Sequence, residues 1–264
     1  MECKRCGSSH IIRYGTRNGK QVWKCKNCGK YYTYGKPLKK KEISLVFNYS
    51  LGYVIGVLVG DGSLSKWKDY HYFDHKHRQV PKSQATKIVP RYKYGFQLQA
   101  KDKEFVETFA RHLEEVSGRK VKPYPIKSRE MKEMAGHKLS KPYTFHGFKA
   151  QLIHKKLYQK INPLTENLTW IKEANLEVRK GFLRGLFDSD GGVSKRPRVH
   201  LTNQKISLLQ LTKELLEQLG IKSRISPLGT LFRLWIDSKE NNRKFFNIIG
   251  FSIKRKQKNK GKLG

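Results

Sequence analysis

The chain of 264 residues carries 56 Lys and Arg against 21 Asp and Glu, a formal charge of +35, and 37% of its residues are hydrophobic. That apolar fraction, in a chain long enough for one or two cores, excludes a disordered tail, and so strong a positive field calls for a polyanionic partner, nucleic acid first. No apolar run reaches the roughly 20 residues that cross a bilayer, and "MECKRCGSSH" has no apolar signal core, so no membrane association and a reducing, cytoplasmic, DNA-associated location are expected.

All four cysteines fall at the start, as Cys3-x-x-Cys6 and Cys25-x-x-Cys28 with eighteen residues between the pairs. This spacing predicts a four-thiolate site for one structural Zn²⁺. A pair of disulfides is the competing reading, disfavoured in a reducing compartment. Between the pairs, "IIRYGTRNGKQVWKC" reads as two strands around a turn at Arg17 to Lys20, so residues 1–36 form a small zinc ribbon. The segment "CKRCGSSHIIRYGTRNGKQVWKCKNCGKYY" resembles the N-terminal ribbon of insertion-sequence transposase proteins. Its basic residues (among them Arg13, Arg17, Lys24) and aromatics (Tyr14, Trp23, Tyr31) favour contact with DNA over protein. Residues 37–50 read as a linker.

The run "LGYVIGVLVGDGSLSK" (51–66) places glycine at 52, 56 and 60, one helical face without side chains, and then turns at Asp61-Gly62. Each glycine costs about 1 kcal/mol in a helix, so a second backbone is expected to pack there. Its partner is a second copy, "KGFLRGLFDSDGGVSK" (180–195), at a constant offset of 129 residues that aligns Gly52 with Gly181, Gly56 with Gly185 and Asp61 with Asp190. Each copy is followed by a strand pair, then a helix (Phe105, Phe109, Leu113, Val116 in one; Leu208, Leu211, Leu215, Leu219 in the other) stopped by Gly118 or Gly220, two more strands, and a closing helix. The closing helices are read over 148–161 and over 238–250, the latter opened by an Asp237-x-x-Glu240 capping pattern. The class is α+β, a tandem αββαββα repeat with halves at 51–165 and 166–253, helices on one face of each antiparallel sheet and positive charge on the other. Residues 254–264 read as a basic tail, mobile until it meets phosphate.

"VIGVLVGDG" (54–62) and "LRGLFDSDG" (183–191) closely resemble the two motifs of LAGLIDADG homing endonucleases. Two motifs in one chain imply the monomeric, pseudo-twofold type. The resemblance implies DNA-binding sheets, a long pseudo-palindromic site in double-stranded DNA, and a double-strand break with a short 3′ overhang made for a mobile element. Asp61 and Asp190 occupy the acidic positions. Two carboxylates at adjoining helix C-termini repel each other and the helix dipoles, which Mg²⁺ or Mn²⁺ resolves while activating water for phosphodiester hydrolysis. Lys66 and Lys195, five residues beyond each Asp, either polarise that water or simply position phosphate. Gln99 and Lys101 in one half, Asn203 and Gln204 in the other, are the further polar candidates. His71, Asp74, His75 and His77 read as a polar hairpin extension along DNA rather than a second metal site. The alternative function is a non-cleaving DNA-binding regulator or an intron maturase that binds RNA.

Overall fold

The computed structural model describes residues 2–3, 5–17, 19–34, 44–75, 78–134, 137–194 and 198–258. The chain divides into two units, Met1–Ser44 and Leu45–Gly264. In the first, Ile11–Arg17 (β1) and Lys20–Cys25 (β2) pair antiparallel, closed by Arg17 opposite Lys20. Gly19 holds φ at 74° there, a conformation that the missing Cβ permits. Tyr31–Tyr34 (β3) pairs with β2 as a third strand, one more than the sequence predicts.

The second unit runs Tyr49–Val59 (α1), Ser63–Phe73 (β4), Lys87–Ala100 (β5), Lys103–Ser117 (α2), Tyr124–Met134 (β6), His137–Ile153 (β7) and Lys155–Glu166 (α3). A 3-10 turn at Thr169–Lys172 leads to Leu176–Asp190 (α4), Gly191–Val193 (β8), Val199–Asn203 (β9), Ile206–Gln218 (α5), Ser223–Leu228 (β10), Leu231–Ile236 (β11), Lys239–Ile248 (α6) and the short Lys254–Gln257 (α7). The αββαββα order thus occurs twice, as expected. The sheets are antiparallel with equivalent strand orders, β4-β5-β7-β6 and β8-β9-β11-β10. Two helix starts differ from the sequence expectation. The segment from Phe148 continues β7 to Ile153, because Ala150 and Leu152 alternate into the core, and α3 begins only after His154, whose Nδ1 accepts the Leu157 N–H at 3.3 Å. Ser238 caps α6, accepting the Asn241 N–H at 3.3 Å, while Asp237 is drawn away by the Arg224 guanidinium at 3.0 Å.

The glycine faces of α1 and α4 meet. A Cβ built on Gly52 would stand 2.9 Å from the Phe182 amide nitrogen and collide with the Val178 carbonyl; Gly56 faces Phe182 and Leu186 in the same way, and Gly181 and Gly185 face the backbone of Tyr49, Tyr53 and Val57. Each helix therefore presses its glycines against the other's main chain, closer than side-chain-bearing helices approach. On either side of the seam, Leu51, Val54, Ile55, Leu183 and Leu186 are buried. At its centre Tyr53 is fully buried, and its hydroxyl donates to Asp188 Oδ2 at 2.8 Å, so the polar tip is satisfied where water is excluded.

Strand alternation assigns the sheet faces. In the first sheet Leu64, Phe96 and Leu152 share one row and Leu98 and Ala150 the next, turned toward buried Phe105 and Phe109 of α2. The opposite face carries Ser63, Gln97 and Gln151 in one row, Gln99, Lys149 and Tyr124 in another, then Trp67 with Lys93 and Asp69 with Arg91. In the second sheet Leu201, Leu234 and Ile236 are buried, leaving Thr202, Arg233, His200 and Trp235 on the free face. Among the described residues no helix is long and apolar enough to cross a membrane.

Residues 249–257 fold back over α4. Arg184 donates to the carbonyls of Ile249 (3.0 Å) and Phe251 (2.9 Å), and Asp188 Oδ1 accepts the Ser252 N–H at 2.8 Å. Phe251 and Ile253 are buried, and Arg255 grips both oxygens of Asp102, the residue before α2, at 2.8 Å each. The basic segment that the sequence sets loose from Lys254 therefore begins as an anchored turn, because the two apolar residues just before it are sunk in the core.

Substituting Gly56→Ala should destabilise the protein by about 1–3 kcal/mol or more, since overpacking the seam outweighs the gain of about 1 kcal/mol in helix propensity. Urea unfolding of the variant against wild type measures it; a stabilised variant would show that the helices can part without loss.

Candidate active site and nucleic-acid interface

Because the helices cross through glycine, their C-terminal ends lie together: Gly60 abuts the Ser189 side chain. Asp61 follows α1 in the turn closed by the Gly62 N–H on the Val57 carbonyl at 2.8 Å, and Asp190 is the last residue of α4. Asn203, at the end of β9, donates its Nδ2 to Asp190 Oδ2 at 2.8 Å. Burial pushes the Asp190 carboxyl up to about 6; the Asn203 hydrogen bond opposes this, the neighbouring Asp61 carboxylate adds to it, and the Lys256 ammonium pulls it down. Asp61 is likewise raised by burial, with Lys256 countering. The Asp61 carboxylate thus stands close enough to hinder the ionisation of Asp190 from the other half, and together they form an oxygen-donor pair suited to a hard divalent cation.

The other polar candidates are distributed unevenly. Asn203 reaches Asp190. Gln99 is exposed on the free face of β5, opposite Lys149, while Lys101 and Gln204 lie exposed just beyond their strands. The helices α2 and α5 begin 103 residues apart, which makes Ala100 the counterpart of Asn203, so the amide on the carboxylate belongs to the second half alone. Lys66 pairs with Tyr94 in register, and its ammonium sits 4.6 Å from the ring centre of Tyr92 and 5.7 Å from that of Tyr94. This places it on the strand face shared with Phe96, beside two tyrosine rings. Lys195 and His77 lie outside the described residues. His71 pairs with Asp69 at 3.3 Å, Asp74 accepts from the Arg78 amide and guanidinium at 2.8 and 2.7 Å, and His75 is exposed.

A LAGLIDADG-like domain model matches residues 177–250, the stretch that holds Asp190, Asn203 and the second sheet. The match covers the second half of the larger unit, and solved structures carry the likeness of fold across both halves. Among LAGLIDADG structures, the homing endonuclease I-DmoI in complex with DNA and Ca superposes with a TM-score of 0.52 at 19% identity, covering 77% of this chain and 90% of that one. An uncharacterised protein of Methanocaldococcus jannaschii is 27% identical over 90% of this chain and 78% of its own length. A tRNA-splicing ligase, RtcB of Pyrococcus furiosus, is 36% identical over 35% of this chain, a stretch equal to 11% of the ligase. The LAGLIDADG fold thus accounts for both halves of the second unit, the two motif helices forming its seam.

The N-terminal unit carries a separate constellation. The sulfurs of Cys3, Cys6, Cys25 and Cys28 all lie within 4.8 Å of one another, with Cys3 to Cys28 at 3.5 Å and Cys6 to Cys25 at 3.6 Å. A tetrahedral Zn²⁺ with bonds of about 2.3 Å sets its thiolates ~3.8 Å apart, so the four donors fit that ion. Burial disfavours a charged Cys3, but hydrogen bonds from the Tyr32 hydroxyl at 3.0 Å and from nearby amides bring its thiol down to about 6. On one face of the same ribbon Lys24 lies 5.7 and 5.5 Å from the ring centres of exposed Tyr14 and Tyr31, and on the other Arg13 lies 5.5 Å from that of Trp23.

Two residues near the carboxylates escape sequence reasoning. Asp188, 1% exposed, reads as one more polar position in "FDSDG", and Lys256 as one more lysine in a basic run. Only tertiary packing distinguishes them.

Because the fold raises the Asp190 carboxyl from its unfolded value, ionised Asp190 destabilises the metal-free protein above about pH 6, and the penalty fades as pH falls toward 4. Asp190→Asn should therefore raise stability at pH 7.5 in EDTA, by at most about 3 kcal/mol, and leave it unchanged near pH 3.5. Thermal melts of both proteins across that range check the sign.

Proposed function

We propose that the protein is a site-specific endonuclease of double-stranded DNA, hydrolysing one phosphodiester in each strand with divalent cations and leaving a short 3′ overhang, in the service of a mobile element. The observation that carries this reading is the convergence of Asp61 and Asp190 at the end of the glycine seam, one from each half. The family's solved members support it: I-DmoI was determined with DNA and with Ca or Mn. Cations held by the two carboxylates would supply an activated water and stabilise the leaving oxygen. The chain's own residues do the rest. The free sheet faces, with Arg91, Lys93, Lys149 and Arg233, grip the backbone and bring Gln97, Gln99 and Thr202 to base edges. Asn203 fixes the Asp190 carboxylate, and the crossed helices hold the two carboxylates at one spacing. Both halves lie in one chain, so the protein acts as a monomer.

Incubation with a randomised duplex library and Mg²⁺, followed by sequencing of cut ends, should return one long site. Asp61→Asn and Asp190→Asn should each abolish double-strand cleavage and leave binding of that site nearly intact, because the carboxylates hold metal and not bases. Binding without cutting by wild type, in Mg²⁺ and Mn²⁺ alike, would leave the regulator or the RNA-binding maturase standing.

The two halves read DNA unequally. The hairpin of β4 and β5 extends over 11 and 14 residues, that of β8 and β9 over 3 and 5. Base substitutions in the half-site under the long hairpin should cost about 1–3 kcal/mol each, and less under the short one. A base-by-base affinity scan at fixed salt decides this; equal penalties in both halves would deny the long hairpin a role in readout.

A further inference from the structure

Lysine is seldom buried without a partner, yet Lys256 is only 7% exposed. Its Nζ donates to the carbonyl of Asp188 at 2.7 Å and to that of Phe187 at 3.3 Å, and it lies 5.5 Å from the centre of the Phe251 ring. Those carbonyls belong to the last turn of α4. The Phe187 carbonyl also accepts the Gly191 N–H, whereas the Asp188 carbonyl is among the final C=O groups of the helix, which have no intrahelical donors and form the negative end of its dipole, and Asp190 closes that very turn with a carboxylate. Unfavourable charge is therefore stacked three deep: helix end, Asp190, and Asp61 from the other half.

The surroundings hold the ammonium in place. Arg255 is locked to Asp102, Phe251 and Ile253 are buried, and Asp188 secures Ser252. The charged groups that face Lys256 are Asp188 and Asp190 of α4, Asp61 after α1, Asp102 before α2, and its own neighbour Arg255. Burial separates it from the many lysines that can reach a phosphate directly.

We propose that Lys256 is a positioning residue of the cleavage site, a fixed counter-charge that clamps the last turn of α4 and holds Asp61 and Asp190 ready as a pair. This rests on the reading of that pair as the cleavage centre. Clamping and charge are separable: Lys256→Gln keeps a donor for the carbonyls and removes the charge, Lys256→Arg keeps the charge, and Lys256→Met removes both.

The first measurement needs no metal and no DNA. Urea unfolding of the full chain in EDTA at pH 7.5 and low salt, in wild-type and Asp190→Asn backgrounds, should show Lys256→Gln lowering the folding constant more when Asp190 is present, by a factor of roughly three or more. The second is cleavage of the selected site in Mg²⁺, where Lys256→Gln should lose kcat by roughly ten- to a hundredfold. Its Kd for the same DNA in Ca²⁺ should stay within about twofold of wild type. Lys256→Arg should retain more activity than Lys256→Gln. Equal effects of Lys256→Gln in both backgrounds, together with wild-type kcat, would overturn the proposal and leave Lys256 as a helix cap. Should Lys256→Met fail to fold, the Gln and Arg variants still decide. If wild type cuts no DNA, the nuclease reading falls while the unfolding cycle still tests the counter-charge.

Discussion

Gly52 and Gly56 lie against the main chain of α4, and Gly181 and Gly185 lie against that of α1. With no side chains to interdigitate, the two helices have little freedom to slide or roll, since any shift brings a carbonyl into a Cα. The helix ends inherit that precision. Because Asp61 and Asp190 are attached at those ends, the spacing of the carboxylates is set by backbone contact and not by rotamers. The two sheets, each joined directly to one of the helices, take their relative orientation from the same contact, so the sheet faces and the two carboxylates share one reference.

Electrostatics pulls against packing here. A chain with 56 basic residues neutralises much of its limited acid in ion pairs, such as Asp102 with Arg255, Asp74 with Arg78, Glu214 with Lys172 and Asp69 with Lys93. At the helix ends burial instead raises Asp61 and Asp190. The protein thus keeps a patch of incompletely compensated acid inside a strongly cationic molecule. In the endonuclease proposed above, that acid is where a cation bridging to a polyanion would gain most.

Sequence legibility followed locality. The glycine strips, the duplicated motif, the αββαββα order and the cysteine set were readable because each is written in fixed spacings whose physics is local. Register was less accessible. The strand containing Ala150 and Leu152 reads as a helix because its apolar residues also suit a helical period, and only pairing with β5 resolves the ambiguity. The difference between Asn203 and its counterpart Ala100 needs the strand alignment, which a residue's slip conceals. The tyrosine rings of Tyr92 and Tyr94 beside the Lys66 ammonium come from the neighbouring strand, so spacing along the chain could not reveal them. Lys256 was the least legible, since its burial is decided by the distant partners of its neighbours.

The anchoring of residues 249–257 on α4 and Asp102 has a consequence for synthesis. Arg255 and Asp102 are 153 residues apart, and the segment that carries Arg255 leaves the ribosome after both halves. Loop closure over such a span is entropically costly, and long-range contacts of this kind form late in folding. A nascent chain can therefore assemble both sheets and bring its glycine helices together while the end of α4 still lacks its lysine and the first half its arginine. Docking of the nine-residue strap then completes the end of α4, so that, in the endonuclease proposed above, a polypeptide still tethered to its message would not yet present a finished centre.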